Sequence, residues 1–455
     1  MSVSTKKPVR KTGVPSSVTI RMYNVGFGDC FLLTFSYANR DRHMLIDYGS
    51  TAAPRSGGPK YMTVIAKEIQ TACNGKLDVL VATHRHRDHI SGFATNGEAT
   101  GKIIAALEPD HVIQPWTEDP SAPADALTAT TTKAGKNSAT RLQAQYLGAL
   151  EDMHSVAASI AHLTRTGVIQ AGAERQNQLT FLGENNLKNP SAVKNLMSMG
   201  AAGKAWYVNA GMKLNGLLPG VKITVLGPPT LEQTQTIRKQ RARDPNEFWQ
   251  FRSFWASQSM AASSRKKTAG TNFFANHKAL PRASRSPNTR WFIERSRQIH
   301  ADQALELVRD LDSVMNNTSV ILLLEVGDRK LLFPGDAQIE NWSFALSNVA
   351  WRSLLKDVNL YKVGHHGSLN ATPKTLWKLF DHKGVKGTAN RLETLCSTKS
   401  GKHGSSRSGT EVPRAPLVEQ LDKESDYCST EHLLASEGPA HILTIPVKQR
   451  RKPRE

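Results

Sequence analysis

The chain has 455 residues, 39% of them hydrophobic and 22% charged, which is material for one large domain or two ordinary ones. Its longest apolar runs, such as 320–324 and 79–82, have the length of strands and fall far short of the roughly 18 residues of a bilayer-spanning helix, so a transmembrane segment is excluded. The formal net charge is +20, a bias that favours polyanionic partners, chiefly nucleic acid and less often anionic lipid.

Residues 1–17 form a basic tail with Lys6, Lys7, Arg10 and Lys11 but no apolar core of a signal peptide, and a cytoplasmic location is expected. Short strands follow: Val18–Tyr23 alternates, Cys30–Phe35 is nearly all apolar, and His43–Asp47 ends at Tyr48-Gly49. The turn Gly26-Phe27-Gly28-Asp29 joins the first two and predicts an antiparallel opening. A helix is expected over about 60–73, then a buried strand from Leu77 to Thr83, and a further strand over His111–Trp116. Residues 119–215 are rich in Ala, Thr, Ser and Asn, with helical spacing over 140–165, and read as a mostly helical insertion. A core strand, Val221–Leu226 within 216–230, precedes a second insertion over 231–300.

That second insertion holds 14 Lys and Arg against 4 Asp and Glu. Arg265, Lys266 and Lys267 are its densest cations and the candidate nucleic-acid contacts. Aromatic residues, among them Trp249, Phe254, Trp255 and Trp291, are interleaved with the charges, more than a disordered polar linker carries. Strand and helix then alternate over 301–447: a helix at 304–311, strands at 320–324 and 330–333, a helix over 338–356, a strand at 359–363, a helix after Pro373, a loop-like stretch over 385–410 and a last strand at 442–447. Residues 448–455 are a second basic tail. The two tails and the 231–300 insertion carry all but about +2 of the net charge, so a nearly neutral body bears basic attachments. Cys30, Cys73, Cys396 and Cys428 show no CxxC spacing and are expected to be reduced thiols.

The densest chemical signal is Thr83-His84-Arg85-His86-Arg87-Asp88-His89-Ile90-Ser91-Gly92. Three imidazoles and a carboxylate within six residues have little structural use, because each needs its own partner when buried. Metal ions answer that need: His84 and His86 can face one ion, while Asp88 and His89 reach a second. Two later motifs add to the set. Phe333-Pro334-Gly335-Asp336-Ala337 puts a carboxylate just past a strand end, where it could bridge two ions or cap a helix. Lys362-Val363-Gly364-His365-His366-Gly367-Ser368 puts paired histidines at another strand end.

With Val25-Gly26-Phe27-Gly28-Asp29, Ile46-Asp47-Tyr48-Gly49 and Asn317-Thr318-Ser319, these motifs resemble the metallo-β-lactamase superfamily, whose signature is HxHxDH after a strand. Within it the likeness is greatest to the ComEC-like hydrolase domain of competence proteins, over roughly residues 18–118, 220–230 and 301–447. The resemblance implies an α/β fold, a four-layer αββα metallo-β-lactamase sandwich carrying here a helical insertion and a basic insertion. It implies two divalent metal ions, Zn2+ first and Mn2+ second: His84 and His86 on one, Asp88, His89 and one of His365 and His366 on the other, with Asp336 bridging. His366 is the favoured ligand and His365 the contact to the scissile group, while Asp47 orients a ligand histidine.

Three departures accompany the likeness. No further histidine in a recognisable motif lies between the HxHxDH run and Asp336, although His111, His154, His162, His277 and His300 fall in that interval. The Gly-His-Pro element of ComEC-like domains is replaced by Gly409-Thr410-Glu411-Val412-Pro413. The membrane channel of competence proteins has no counterpart.

Two ions acidify the water they share and stabilise charge on the attacked centre. The expected function is therefore a metal-dependent phosphodiesterase, a nuclease on DNA or RNA foremost, with Asp88 or His365 handling protons and Lys362 assisting the ions. Lys362, Ser368 and Asp29 are the candidate substrate contacts, each with an ordinary alternative: an exposed strand lysine, a loop terminus and a turn cap. A hydrolase of small-molecule or lipid head-group phosphoesters is the alternative enzyme. A non-catalytic module docking a protein or nucleic acid through the insertions is the alternative of another class.

Overall fold

The computed structural model describes residues 13–54, 57–121, 162, 164, 179, 189–230, 232–234, 315–368, 371–403, 411–434, 436 and 438–449. Strands β1 (Ser17–Tyr23), β2 (Cys30–Ser36) and β3 (Arg42–Tyr48) form the expected antiparallel meander. Val18, Ile20 and Met22 of β1 are buried and alternate with half-exposed Ser17, Thr19 and Arg21, as a sheet with one covered face requires. Helix α1 (Tyr61–Ala72) then crosses to β4 (Val79–Val81), and β5 (His111–Pro115) and β6 (Ala205–Val208) extend the sheet in parallel. Strand β13 (Ala440–Pro446) closes the other side against β1, giving the order β13-β1-β2-β3-β4-β5-β6.

The second sheet begins with antiparallel β7 (Val221–Gly227), β8 (Ile321–Val326) and β9 (Arg329–Phe333). Strands β10 (Leu360–Lys362), β11 (Glu393–Cys396) and β12 (Asp426–Ser429) continue it in parallel, in the order β12-β11-β10-β9-β8-β7. Three hydrophobic clusters define the layers. Val18, Ile20, Phe31, Leu33, Met44 and Val81 of the first sheet meet Ile223, Leu322, Leu324, Phe333 and Leu395 of the second. The opposite face of the first sheet, with Leu32, Leu45 and Leu80, packs on α1, α3 (Thr100–Ala105) and α4 (Pro190–Met199), which follow the one-turn helix α2 (Arg87–Ile90). The outer face of the second sheet, with Leu323, Leu332 and Tyr361, packs on α5 (Ile339–Ser347), α6 (Val349–Lys356), α7 (Lys374–Leu379) and α8 (Ala415–Glu424). The protein is thus a mixed α/β sandwich of two sheets with helices outside both.

Several sequence expectations change. Residues 189–215 belong to the body rather than to a helical insertion: Asn189 caps α4 through Ala192 N–H at 3.3 Å, Asn195 Nδ2 donates to the carbonyls of Phe93 and Gly101 at 2.9 Å each, and β6 pairs with β5. The helix expected over 338–356 is two, divided at Asn348, whose side chain accepts Trp351 N–H at 3.1 Å as an N-cap. The stretch 385–410 is not loop throughout, since β11 lies within it and pairs on both sides. Four-residue strands carry too little periodicity to stand out from a Ser/Gly/Lys-rich context. Most of the helical spacing over 140–165, the helix at 304–311, most of the basic insertion with Arg265, Lys266 and Lys267, and most of both tails lie outside the described residues.

Topology sets where chemistry can sit. Strands β3–β6 run parallel, as do β9–β12, so each set gathers its carboxyl ends on one edge. The β1–β2 turn joins that edge because β1 and β2 alternate in direction with β3. The two edges adjoin: Val320 N–H donates to the Thr83 carbonyl at 2.9 Å. Chain 235–314 leaves and returns on the same edge, because the end of β7 pairs with the start of β8. Chain 122–188 leaves after Trp116–Glu118, beside the stem of the other, where Trp116 Nε1 donates to the Pro229 carbonyl at 3.3 Å. Both long interruptions therefore open on the edge that carries the histidines.

Candidate metal centre

The residues of the centre stand at or beside strand ends. Asp47 closes β3, His84 to His89 span the β4–α2 turn, Asp336 follows β9, and His365 and His366 follow β10. Asp47, His365 and His366 have φ of 56°, 45° and 52°, a left-handed backbone that non-glycine residues adopt only when their surroundings enforce it. Two glycines let the turns close: a Cβ on Gly49 would lie 2.5 Å from His89 N and Asp88 C, and one on Gly335 would lie 2.9 Å from Thr83 Cβ, with φ of 56° besides.

Two imidazoles are aimed by their second nitrogens. His89 Nδ1 lies 2.8 Å from Asp47 Oδ2, and Asp47 is itself held by Thr83 N–H and Thr83 Oγ1 at 2.7 Å each. This turns His89 Nε2 inward, to 3.0 Å from Asp336 Oδ2 and 3.8 Å from Asp88 Oδ1. His366 Nδ1 lies 2.9 Å from the Ser397 carbonyl, which turns its Nε2 to 3.0 Å from Asp88 Oδ2 and 3.6 Å from Asp336 Oδ2. An acceptor at Nδ1 fixes the tautomer that leaves Nε2 free to ligate. Donor atoms of Asp88, His89, Asp336 and His366 all lie within 4.8 Å of one another, and all four residues are buried.

His84 and His86 form the adjoining half. His84 Nε2 lies 3.0 Å from His86 Nδ1, and the His84 and His89 rings are 4.1 Å apart. Among the described residues these two histidines join no third group in a comparably tight set. His111, one of the histidines considered for that role, instead accepts from Trp206 Nε1 at 3.1 Å on the first sheet.

Charge explains the cluster's needs. Asp29, Asp47, Asp88 and Asp336 are four buried carboxylates, and Lys362 is a single ammonium among them. Burial holds the Asp47 carboxyl above its ordinary range, with His89 only partly offsetting it. Burial works against charge on His89 too, yet Asp336, Asp88 and Asp47 outweigh it and hold the imidazole well above its usual range. Asp336 is held well below the carboxylate range despite burial, by His89, His366 and Lys362. His84, buried beside His89 and His86, is pushed well below the imidazole range and so stays neutral, as a ligand must be. Asp88 Oδ1 is buried with no hydrogen-bond partner. An orphaned oxygen inside an excess of carboxylate fits a divalent cation, and these groups could hold one.

A comparison with models of known protein families gave no match, and no curated protein matches the chain. The centre is accordingly read from its own geometry.

That geometry brings together His84, His86, Asp88, His89, Asp47, Asp336, His365, His366, Asp29 and Lys362. Asp29 is no mere turn cap: it is buried, ion-paired with Lys362, and its carboxylate lies 3.6 Å from His366 Nδ1. Lys362 is only 1% exposed, so the exposed strand lysine is corrected. Its Nζ faces Asp29, the Gly335 carbonyl at 3.1 Å and Asp336 Oδ1 at 3.5 Å, which makes it a partner of the carboxylates rather than an open contact for substrate. His365, at 12% exposure, stands at the rim with Nε2 3.9 Å from Asp336 Oδ2, and half-buried Ser368 follows it. Asn317 sits in the turn before β8, with Nδ2 donating to Glu340 at 3.1 Å.

Sequence reasoning missed three contributors. Thr83 anchors Asp47, and the Ser397 carbonyl orients His366 while its hydroxyl donates to the Gly28 carbonyl at 2.6 Å. His403 lies with its ring 6.1 Å from that of His365. Thr83 directly precedes the histidine run and was within reach of the reading; a backbone carbonyl has no sequence signature, and His403 sits in no motif.

Proposed function

We propose that the chain is a metal-dependent hydrolase of metallo-β-lactamase type, ComEC-like in its motifs, that cleaves phosphodiesters and foremost those of DNA or RNA. The observation that carries this reading is the convergence of Asp88, His89, Asp336 and His366 within 4.8 Å at the joined edges of two sheets. Zn2+ or Mn2+ held there, with a further ion toward His84 and His86, would supply an acidified water and positive charge opposite the attacked phosphorus. The protein's own residues do the rest. Thr83 and Asp47 lock the His89 ring, and Ser397 locks that of His366, so the donor set is formed before substrate arrives. Burial excludes bulk water from Asp88 and Asp336. His365 at the rim is positioned to hand a proton to the leaving oxygen, and Ser368 to donate to a phosphate oxygen.

Substrate class rests on charge. The 231–300 insertion, with its excess of ten cations, springs from the edge that carries the centre, where a phosphate backbone would be drawn in. Interleaved aromatics suit stacking on the bases of a single strand.

The decisive experiment incubates purified protein with Mn2+ or Zn2+ and single-stranded DNA, double-stranded DNA, RNA or a generic bis-phosphodiester, beside His86→Ala. Metal-dependent cleavage of nucleic acid that His86→Ala abolishes is expected. Cleavage of the generic ester alone would sink the nuclease reading, and no cleavage of any substrate would sink the hydrolase.

A further inference from the structure

The group around Lys362 Nζ has the composition of a cation site rather than of an ordinary ion pair. A carboxylate oxygen of Asp29, the Gly335 carbonyl at 3.1 Å and Asp336 Oδ1 at 3.5 Å surround it in the interior. Carboxylate and carbonyl oxygens together are what hard divalent ions take as ligands. The cage is continuous with the metal centre, because Asp336 belongs to both. Its Oδ1 is turned to Lys362 and to His365 N–H at 3.2 Å, and its Oδ2 to His89 and His366.

We propose that the Lys362 ammonium is a resident cation of this centre, standing in an oxygen cage that would otherwise recruit a further divalent ion, and that it thereby limits how many ions the centre holds. A tethered ammonium compensates Asp29 and Asp336 at any ion concentration, whereas a free ion does so only above its dissociation constant. It also leaves Asp336 a single oxygen, Oδ2, to share with ions on the histidine side. The proposal rests on the reading of Asp336 and its neighbours as a metal centre.

The test counts Mn2+ bound per full-length chain, by equilibrium dialysis and by the paramagnetic resonance of free Mn2+. It compares the wild type, Lys362→Met and the double variant Lys362→Met with Asp29→Asn. The single variant is expected to bind about one ion more than the wild type, since the emptied cage keeps its oxygens. The double variant should return to the wild-type number, having lost the carboxylate that makes the cage attractive. A single variant that folds only when Mn2+ is added supports the proposal equally. Equal counts in the wild type and single variant overturn it. So does a single variant that stays unfolded at saturating Mn2+ while the double variant folds, because Lys362 would then serve only to neutralise Asp29. A wild type that binds no Mn2+ or Zn2+ would refute the hydrolase reading instead, and the difference between variant and wild type would still decide the role of Lys362.

Discussion

Asp47 uses both carboxylate oxygens, one on Thr83 N–H and the other shared by Thr83 Oγ1 and His89 Nδ1. Asn at this position keeps the shape but offers an amide donor where an acceptor is required. Asp47→Asn should weaken metal affinity by about 10–100-fold with little change in fold, which metal titration beside circular dichroism would check. Glu393, far from any ligand residue, offers a pH prediction of its own. Burial and the facing carboxylate of Asp426 push its carboxyl up to about 7, with Arg391 only partly relieving it. A raised carboxylate binds its proton more tightly in the folded state. Its effect on stability is therefore most favourable at low pH, and the protein loses stability as pH rises from the unfolded value of about 4.3 toward the folded one. Glu393→Gln should raise the melting temperature at pH 8 and lose that advantage toward pH 5. An equal gain at both pH values would contradict the burial argument.

At the scale of elements, the strand-end turns carry both the chemistry and the backbone strain. Gly49, after β3, packs against the backbone of Asp88 and His89, so Gly49→Ala has to displace the α2 turn. We expect a loss of about 1–3 kcal/mol in denaturant unfolding, together with weakened metal binding. Unchanged stability would mean that the turn can shift without cost. The same turns explain what was legible in the sequence. His84, His86, Asp88 and His89 stand in one short run, and Asp336 and His366 each follow a recognisable apolar strand, so most of the donor set could be named before any fold was known. Lys362 was misjudged because one alternating position does not tell a buried ammonium from an exposed one; only Asp29, brought across from the β1–β2 turn, decides it. Strands β6, β11 and β12 are four residues each, too short for a period to stand out, although Trp206, Tyr207 and Val208 of β6 favour strand.

For the whole molecule, the alternation of Val18–Tyr23 and the apolar runs of β4 and β8 made single strands readable, while the layered α/β architecture was implied by the resemblance. The order of strands was not readable, because pairing between distant segments leaves no local trace, and the meeting of residues 84–89 with 336–366 was expected through the resemblance alone. The β7–β8 pairing closes without residues 235–314: the end of β7 and the start of β8 already face each other. Replacing 235–300 by a short linker should thus leave the melting transition and small-ester hydrolysis in place while weakening nucleic-acid binding and flattening its salt dependence. Unchanged binding would assign the insertion another purpose.

The pairing of Ser17 with Pro446 has a consequence for handling the protein. It brings the bases of the two basic tails side by side, at the amino end of β1, with the seven-residue length of that strand, roughly 20 Å at about 3.3 Å per residue, between them and the edge that holds the histidines. An attachment made through both tail bases, rather than through charge that the 231–300 insertion also carries, would therefore orient every molecule alike, with the centre facing the solution. A fluorophore attached at the base of either tail, near Ser17 or Pro446, would report from the far side without obstructing the approach to His365.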